Sequence, residues 1–425
     1  MHPPFLQVKA SIVCLLTTLA FGCCSTQPAC SQEENSEPRE ESSSQQADPT
    51  PEALAEFASH LRRLYQSTPE NWPAPTLDEG VPLVELGTPR KPAAPADNPT
   101  TPEKAALGLS LFFDPRLSGS QQLACASCHV PDLAWSDGRA LPAGNFRTQL
   151  RRHSPTLVGV AHSKLFFWDG RASSLEEQAA MVISAPDEMA GEPNVIVQRL
   201  QAEPSFYRER FKTAFGDEQI TFQRVTKALA AFQRSLIIGR TAFDKFLAGK
   251  HDSLDDSAVR GLHLFRTKAR CMNCHNGPML QNDSFHNVGL TYYGRKYEDL
   301  GRYHITRKAE DIGRFKTPTL RNVARSGPWM HNGLFPSLDG VLRLYNAGMP
   351  QPKPKPDQEN DPLFPKTDPL LKPLHLTRSE LADLKAFLES LNEPPIRILE
   401  PPFPPLPLDG ALSAGVSPNP PGTSP

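Results

Sequence analysis

The chain has 425 residues, of which 38% are hydrophobic, and a formal net charge of −2. That is apolar material for two packed cores, and the near-neutral balance excludes a chain that binds nucleic acid through bulk positive charge. Proline is the compositional departure, with 45 residues, about twice the usual share of ~5%.

In chain order, the N-terminus "MHPPFLQVKASIVCLLTTLAFGCC" sets Lys9 before a short apolar run that ends at Gly22. The run fits a secretory core segment and is too short to span a bilayer of ~30 Å. The "AFGC" ending at Cys23 loosely resembles a lipoprotein processing box. Residues 1–30 therefore read as a signal peptide or a lipoprotein leader, and a lipid anchor is the only membrane contact expected. Either way the mature chain is exported.

Residues 31–97 combine the acidic "SQEENSEPREESSSQQADPTP" with the proline-rich "TPENWPAPTLDEGVPLVELGTPRKPAAPADNP" and read as a flexible tether. Within it, "PEALAEFASHLRRLYQ" places Leu54, Phe57, Leu61 and Leu64 on one face of a short docking helix. The main body starts near "TPEKAALGLSLFF", and the proline-rich stretch from 394 to 425 reads as a disordered tail.

Between these ends the periodicity is helical. "TFQRVTKALAAFQRSL" spaces Val225, Leu229, Phe232 and Leu236 by helical steps. "TRSELADLKAFLESL" opens on a capping box, Thr377 with Glu380, and runs apolar at Leu381, Leu384, Leu388 and Leu391. Strand alternation is scarce. A weak repeat links "GLSLF" (Gly108 to Phe112) to "GLHLF" (Gly261 to Phe265), dividing the body into halves, 98–248 and 249–393.

Each repeat precedes a C-x-x-C-H run, "CASCH" at 125 and "CMNCH" at 271. Cys14, Cys23, Cys24 and Cys30 belong to the leader, so the globular part keeps only Cys125, Cys128, Cys271 and Cys274. Two thiols at this spacing can add to the vinyl groups of a haem, and the next histidine then sits under the iron. A redox dithiol would want a βαβ setting, and zinc would want two such pairs meeting. Two runs in an exported helical chain point to two covalently bound haem c groups, with His129 and His275 as proximal ligands. The glycine in each preceding helix is expected to let backbone approach the flat cofactor.

The segments "TPEKAALGLSLFFDPRLSGSQQLACASCH", "FFWDGRASSLEEQA", "CMNCHNGP", "FHNVGL", "GRFKTPTLRNVARSGPWMHNG" and "VLRLYNAG" resemble the bacterial di-haem cytochrome c peroxidase / MauG family from about residue 98 to 392. The resemblance implies an all-α fold of two cytochrome c-like domains, each with one haem, in the periplasm. It implies Trp168 as the electron relay between the haems, and Gln178 and Glu188 as the distal pair above iron one. A carboxylate is needed there because peroxide cleaves heterolytically only when a proton moves from one oxygen to the other. His286 and Arg321 lie in family motifs and would contact propionates or brace haem two.

Several positions depart from the family pattern. Residues 130–152 contain no histidine, where many relatives carry a second ligand to iron one, so that iron is expected to be open. His153 replaces an asparagine that holds an inter-domain calcium ion, which puts calcium in doubt although Ser326 and Pro328 match its other contacts; Val182 replaces a proline of the distal pocket. The distal position on iron two is Tyr345, with Met330 as the rival ligand, where many peroxidases have methionine. Anionic oxygen ligation favours the more oxidised states of a haem.

Three functions follow. One is a peroxidase reducing hydrogen peroxide with electrons from a small electron-transfer protein, a cytochrome c or cupredoxin. Another is a MauG-like oxidase that oxidises a protein or small organic substrate through a high-valent iron state. The third is a non-catalytic di-haem carrier. A homodimer is compatible with all three.

Overall fold

The computed structural model describes residues 48–236, 238–395 and 398–404. The leader, the acidic part of the tether up to 47 and the tail from 405 lie outside the described residues. Eleven α-helices are described: α1 (Pro51–Leu64), α2 (Pro102–Phe113), α3 (Leu175–Ser184), α4 (Pro193–Gln201), α5 (Glu209–Phe215), α6 (Phe222–Ser235), α7 (Ala242–Leu247), α8 (Asp256–Arg266), α9 (Tyr303–Thr306), α10 (Leu338–Asn346) and α11 (Arg378–Ser390). The described strands are β1 (Phe285–His286) and β2 (Phe315–Lys316), which pair antiparallel. Helical periodicity thus dominates, as the sequence predicts. No helix among the described residues is long and apolar enough to cross a membrane.

The helices begin where side-chain acceptors stand. Thr101, Thr221, Asp255 and Thr377 each accept a backbone N–H of the first turn, and Thr377 with Glu380 forms the predicted capping box. Two hydrophobic clusters result. The first packs α2, α3, α4, α5 and α6 through residues such as Leu111, Ile183, Ile196, Phe211 and Leu229. The second packs α1, α7, α8, α10 and α11 through Leu61, Phe243, Phe265, Leu342 and Phe387.

The sequence repeat has a physical meaning. A Cβ at Gly108 of α2 would lie 2.0 Å from Ala228 O of α6, and one at Gly261 of α8 would lie 2.0 Å from Asp383 O of α11. The ring pairs one turn further on match as well: Phe112 and Phe232 meet at 5.1 Å and 55°, Phe265 and Phe387 at 5.1 Å and 57°. These glycines admit a partner helix. They do not serve the approach to a flat cofactor that the sequence analysis assigned to them.

The expected segment limits also shift. Phe243 and Phe246 of α7 belong to the second cluster, so the boundary near 248 moves back before α7. The expected docking helix forms as α1, though it buries Ala58 and Leu61 while Phe57 and Leu64 of the expected face are exposed, and the rest of 48–97 does not float as a tether. Leu61, Tyr65, Trp72 and Leu86 are buried in the second cluster. Buried Arg266 binds Glu85 and Pro73 O, and Thr76 N donates to Arg266 O at 2.8 Å. The prolines stiffen an extended strap whose apolar side chains are spaced to reach this surface. At the other end, Ile398 packs on the first cluster and Arg116 Nη2 donates to Pro404 O at 2.8 Å, so the start of the expected tail is docked.

Replacing Gly261 or Gly108 by alanine should destabilise the fold by ~1–3 kcal/mol, despite the ~1 kcal/mol that alanine normally adds to a helix, because backbone must move. Denaturant-unfolding midpoints of the two variants check this.

Candidate active site

Both C-x-x-C-H runs adopt the same local form. Cys125–Ser127 and Cys271–Asn273 are single 3₁₀ turns, closed by Cys128 N to Cys125 O and Cys274 N to Cys271 O, both at 3.2 Å, and the same carbonyls accept from His129 N at 3.1 Å and His275 N at 2.8 Å. His129 Nδ1 lies 2.9 Å from Trp135 O, and His275 Nδ1 lies 3.0 Å from Leu280 O. A carbonyl only accepts, so Nδ1 carries the proton and Nε2 presents its lone pair. Burial lowers both imidazole pKa values, that of His275 to about 4, which keeps the rings neutral. Cys125, Cys128, Cys271 and Cys274 form no disulfide with one another. Burial pushes Cys125 and Cys271 up to about 12 and Cys128 to about 11. Paired thiols beside a preoriented imidazole fit a haem held by two thioethers and one nitrogen ligand.

A cavity of about 400 Å³ opens beside the first run, lined by Cys125, Cys128, His129, Trp168, Gln178 and Glu188. Gln178, Ala179, Val182 and Ile183 on one face of α3 form a wall. The chain then turns back: Glu188 N donates to Ala185 O at 3.1 Å and Gly191 N to Ile183 O at 2.7 Å, which aims Glu188 at the same space. Burial raises the Glu188 carboxyl to about 7 against the opposing pull of Arg171.

The second run is surrounded differently. Burial, and then the charges of Cys274 and Cys271, push the Tyr345 phenol of α10 up, and Tyr345 and Cys271 pack on the same cluster. Tyr345 and Met330 both pack on the second cluster. His286 Nδ1 meets Asp368 Oδ2 at 2.7 Å; burial opposes its charge, but the bonds to Asp368 and Cys274 prevail and raise it to about 9. Arg321 is fully buried, pairs with Asp244 at 3.0 Å, and donates to Pro278 O at 2.8 and 2.9 Å. It braces the loop that follows His275.

Trp168 stands at the junction. Its Nε1 donates to His153 O at 2.9 Å, and its carbonyl accepts from Lys316 N at 2.8 Å. The indole meets the His331 ring edge-on at 6.5 Å, and His331 stacks on Phe315 at 3.6 Å. His153 is buried, with Nδ1 2.9 Å from Arg139 O and Nε2 3.3 Å from Ser326 O.

Sequence reasoning passed over the charged groups here. Arg171 binds Asp169 and faces Glu188, and Arg152 joins Asp169 to Asp299. Arg171 stands inside the quoted "FWDGR" segment, so adjacency to Trp168 was the available signal. Asp299 lies far along the chain, and only the fold brings it to Arg152.

Paired thiols, preoriented imidazoles and a cavity with a carboxylate are the features that a di-haem oxidoreductase requires. The comparisons give the family. Residues 102–252 match the protein-family model described as di-haem cytochrome c peroxidase. The chain is 42% identical over 313 residues, 73% of its length and 84% of the relative's, to methylamine utilization protein MauG of Methylorubrum extorquens. It is 36% identical over 327 residues, 70% of its length and 84% of the relative's, to cytochrome-c peroxidase IdrP1 of Denitromonas iodatirespirans. A solved MauG-like protein associated with microbial copper homeostasis superposes with TM-score 0.65 at 30% identity, covering 75% of this chain and 96% of that one. The chain belongs to the di-haem cytochrome c peroxidase family and is an oxidoreductase of that class.

Asp244→Ala strands a fully buried guanidinium and should cost about 3–5 kcal/mol. Thermal unfolding of the purified variant, followed with the parent protein, measures it.

Proposed function

We propose that the chain is a periplasmic peroxidase that reduces hydrogen peroxide to water with two electrons and two protons, the electrons passing from the second site to the first. Cys125 and Cys128, and Cys271 and Cys274, would hold two haem c groups by thioether bonds, with His129 and His275 as proximal ligands and Tyr345 facing the second. The reading divides the body into two cytochrome c-like domains, one around each cluster. Bound haem supplies the redox chemistry at each site.

The observation that carries the reading is the cavity that unites His129 with Glu188 and Gln178. Gln178 can orient peroxide through its amide. Glu188 turns Oε1 toward Arg171, leaving Oε2 to take a proton from one peroxide oxygen and return it to the other. A carboxyl near pH 7 suits that exchange. Trp168 lines the cavity and touches the His331–Phe315 stack, which supports its role as the relay. The imidazole of His153 spans the Arg139 and Ser326 carbonyls, which supports a junction closed by a side chain instead of calcium. The cavity carboxylate argues against a plain electron carrier.

A second reading has a specific basis. Tyr345, in place of a thioether, favours an enzyme that uses peroxide to oxidise a protein or organic substrate. Steady-state turnover with peroxide and a reduced small cytochrome separates the two. Sustained turnover supports detoxification; peroxide consumption coupled only to loss of an added organic or protein substrate supports the second.

Glu188→Gln should slow the peroxide reaction by about 100-fold, read by stopped flow, and an unchanged rate removes Glu188 from the mechanism. Tyr345→Phe should change the spectrum of the second haem alone; if only Met330→Ala does so, methionine is the ligand.

A further inference from the structure

Glu188 is the end of a chain of charges. Arg171 Nη2 lies 3.6 Å from Glu188 Oε1, while Nη1 binds both oxygens of Asp169 at 3.1 and 3.2 Å. Asp169 Oδ2 also accepts from Arg152 Nη1 at 2.6 Å. Arg152 then grips both oxygens of Asp299 through Nε at 2.7 Å and Nη2 at 2.9 Å. Five side chains alternate in sign from the cavity wall, past the residue next to Trp168, into the second half of the chain.

Arg171 is fixed from the other side. Its guanidinium stacks on Phe167, 3.4 Å from the ring centroid. The preceding Gly170 has φ +72°, and a Cβ there would fall 2.4 Å from Phe285 Cζ. The loop therefore has little freedom to withdraw the guanidinium. The charged groups that act on Glu188 are Arg171, Asp187 and Asp169; Cys128 is also close to it, and as the thioether of the proposed function it carries no charge. Arg171 is the cation in ion-pair range of it among the described residues.

We propose that Arg171 is the positioning residue of the peroxide site, holding Glu188 at the cavity wall in its proton-accepting form and tying it, through Asp169 and Arg152, to the Trp168 loop and to Asp299. This rests on the reading of Glu188 as the proton-transfer group. The signs follow from Coulomb's law. Removing Arg171 withdraws the attraction that favours the anion, so Glu188 stays protonated to higher pH and its base form is scarcer. Removing the charge of Asp169 acts in the opposite sense.

The test uses haem-loaded parent protein, Arg171→Gln, Arg171→Lys, Asp169→Asn and Glu188→Gln. Two readouts are taken against pH: the stopped-flow rate with hydrogen peroxide, and the protonated-carboxyl infrared band of the ferric protein that disappears in Glu188→Gln. In the parent, rate should rise and band should fall with pH at one common midpoint. Arg171→Gln should move both midpoints up by about one pH unit, a roughly tenfold slower reaction on the acid limb. Arg171→Lys should fall between, and Asp169→Asn should move them down. A purely structural role would not give opposite signs. If Glu188→Gln abolishes limb and band but the other three variants leave the midpoints in place, the inference about Arg171 is overturned. If Glu188→Gln retains the limb, it is the reading of Glu188 that fails. Should Arg171→Gln not load haem, Arg171→Lys and Asp169→Asn decide by direction alone.

Discussion

Each half of this protein is governed by one backbone-on-backbone contact. At Gly108 and Gly261 a helix crosses its partner so closely that a single methyl group would collide with a carbonyl oxygen at 2.0 Å. The crossing sets how far each helix runs and where its C-terminal loop emerges, and that loop carries the cysteines and the histidine. One turn beyond the glycine an aromatic pair, Phe112 with Phe232 or Phe265 with Phe387, locks the rotation about the crossing. With the loop so fixed, His129 and His275 each find a backbone carbonyl for Nδ1. Imidazole orientation is thus inherited from helix packing and needs no dedicated carboxylate partner.

The junction between the halves is held by different physics. Asp169 is buried, and Arg152 and Asp299 are largely removed from water. Desolvating such groups is costly, and a buried ion pair often adds little net stability. The return is geometric: bidentate guanidinium–carboxylate contacts tolerate little sliding. That suits a place where Trp168 bonds to the first half through its indole N–H and to the second through its carbonyl. His331 fits the same logic. Burial lowers it to about 3, so it meets Trp168 as a neutral ring stacked on Phe315, adding no charge beside the indole.

What the sequence disclosed follows the range of the forces involved. Covalent chemistry is local, so the two C-x-x-C-H runs were plain from five adjacent residues each. Helices were legible because capping and periodicity act within one or two turns, and Thr377 with Glu380 formed as expected. The strap was misread because composition alone, rich in proline and acid, resembles a free linker. Its fate was decided by spaced apolar residues, Trp72 and Leu86, and by Glu85 meeting Arg266 from far along the chain. Glu188 and Gln178 were placed by resemblance. Arg152 and Asp299 were not placed at all, since nothing in either neighbourhood announces a partner so distant in sequence.

A duplicated frame leaves function to the parts that are not duplicated. In the first half, the turn after α3 brings a carboxylate to the cavity; in the second, α10 packs a phenol on the cluster that also holds Cys271. The loop after His129 completes the difference. Asn145 N donates to Glu188 O at 2.8 Å and Asp187 O at 3.1 Å, and Gly144 N to Thr148 O at 2.8 Å, so the hairpin is pinned to the cavity rim. Between residues 130 and 152 it carries no histidine, cysteine or methionine to reach inward. The same hydrogen bonds hold the backbone of Glu188. A single set of contacts therefore restrains this hairpin and holds the backbone of Glu188 at the cavity that His129 also lines.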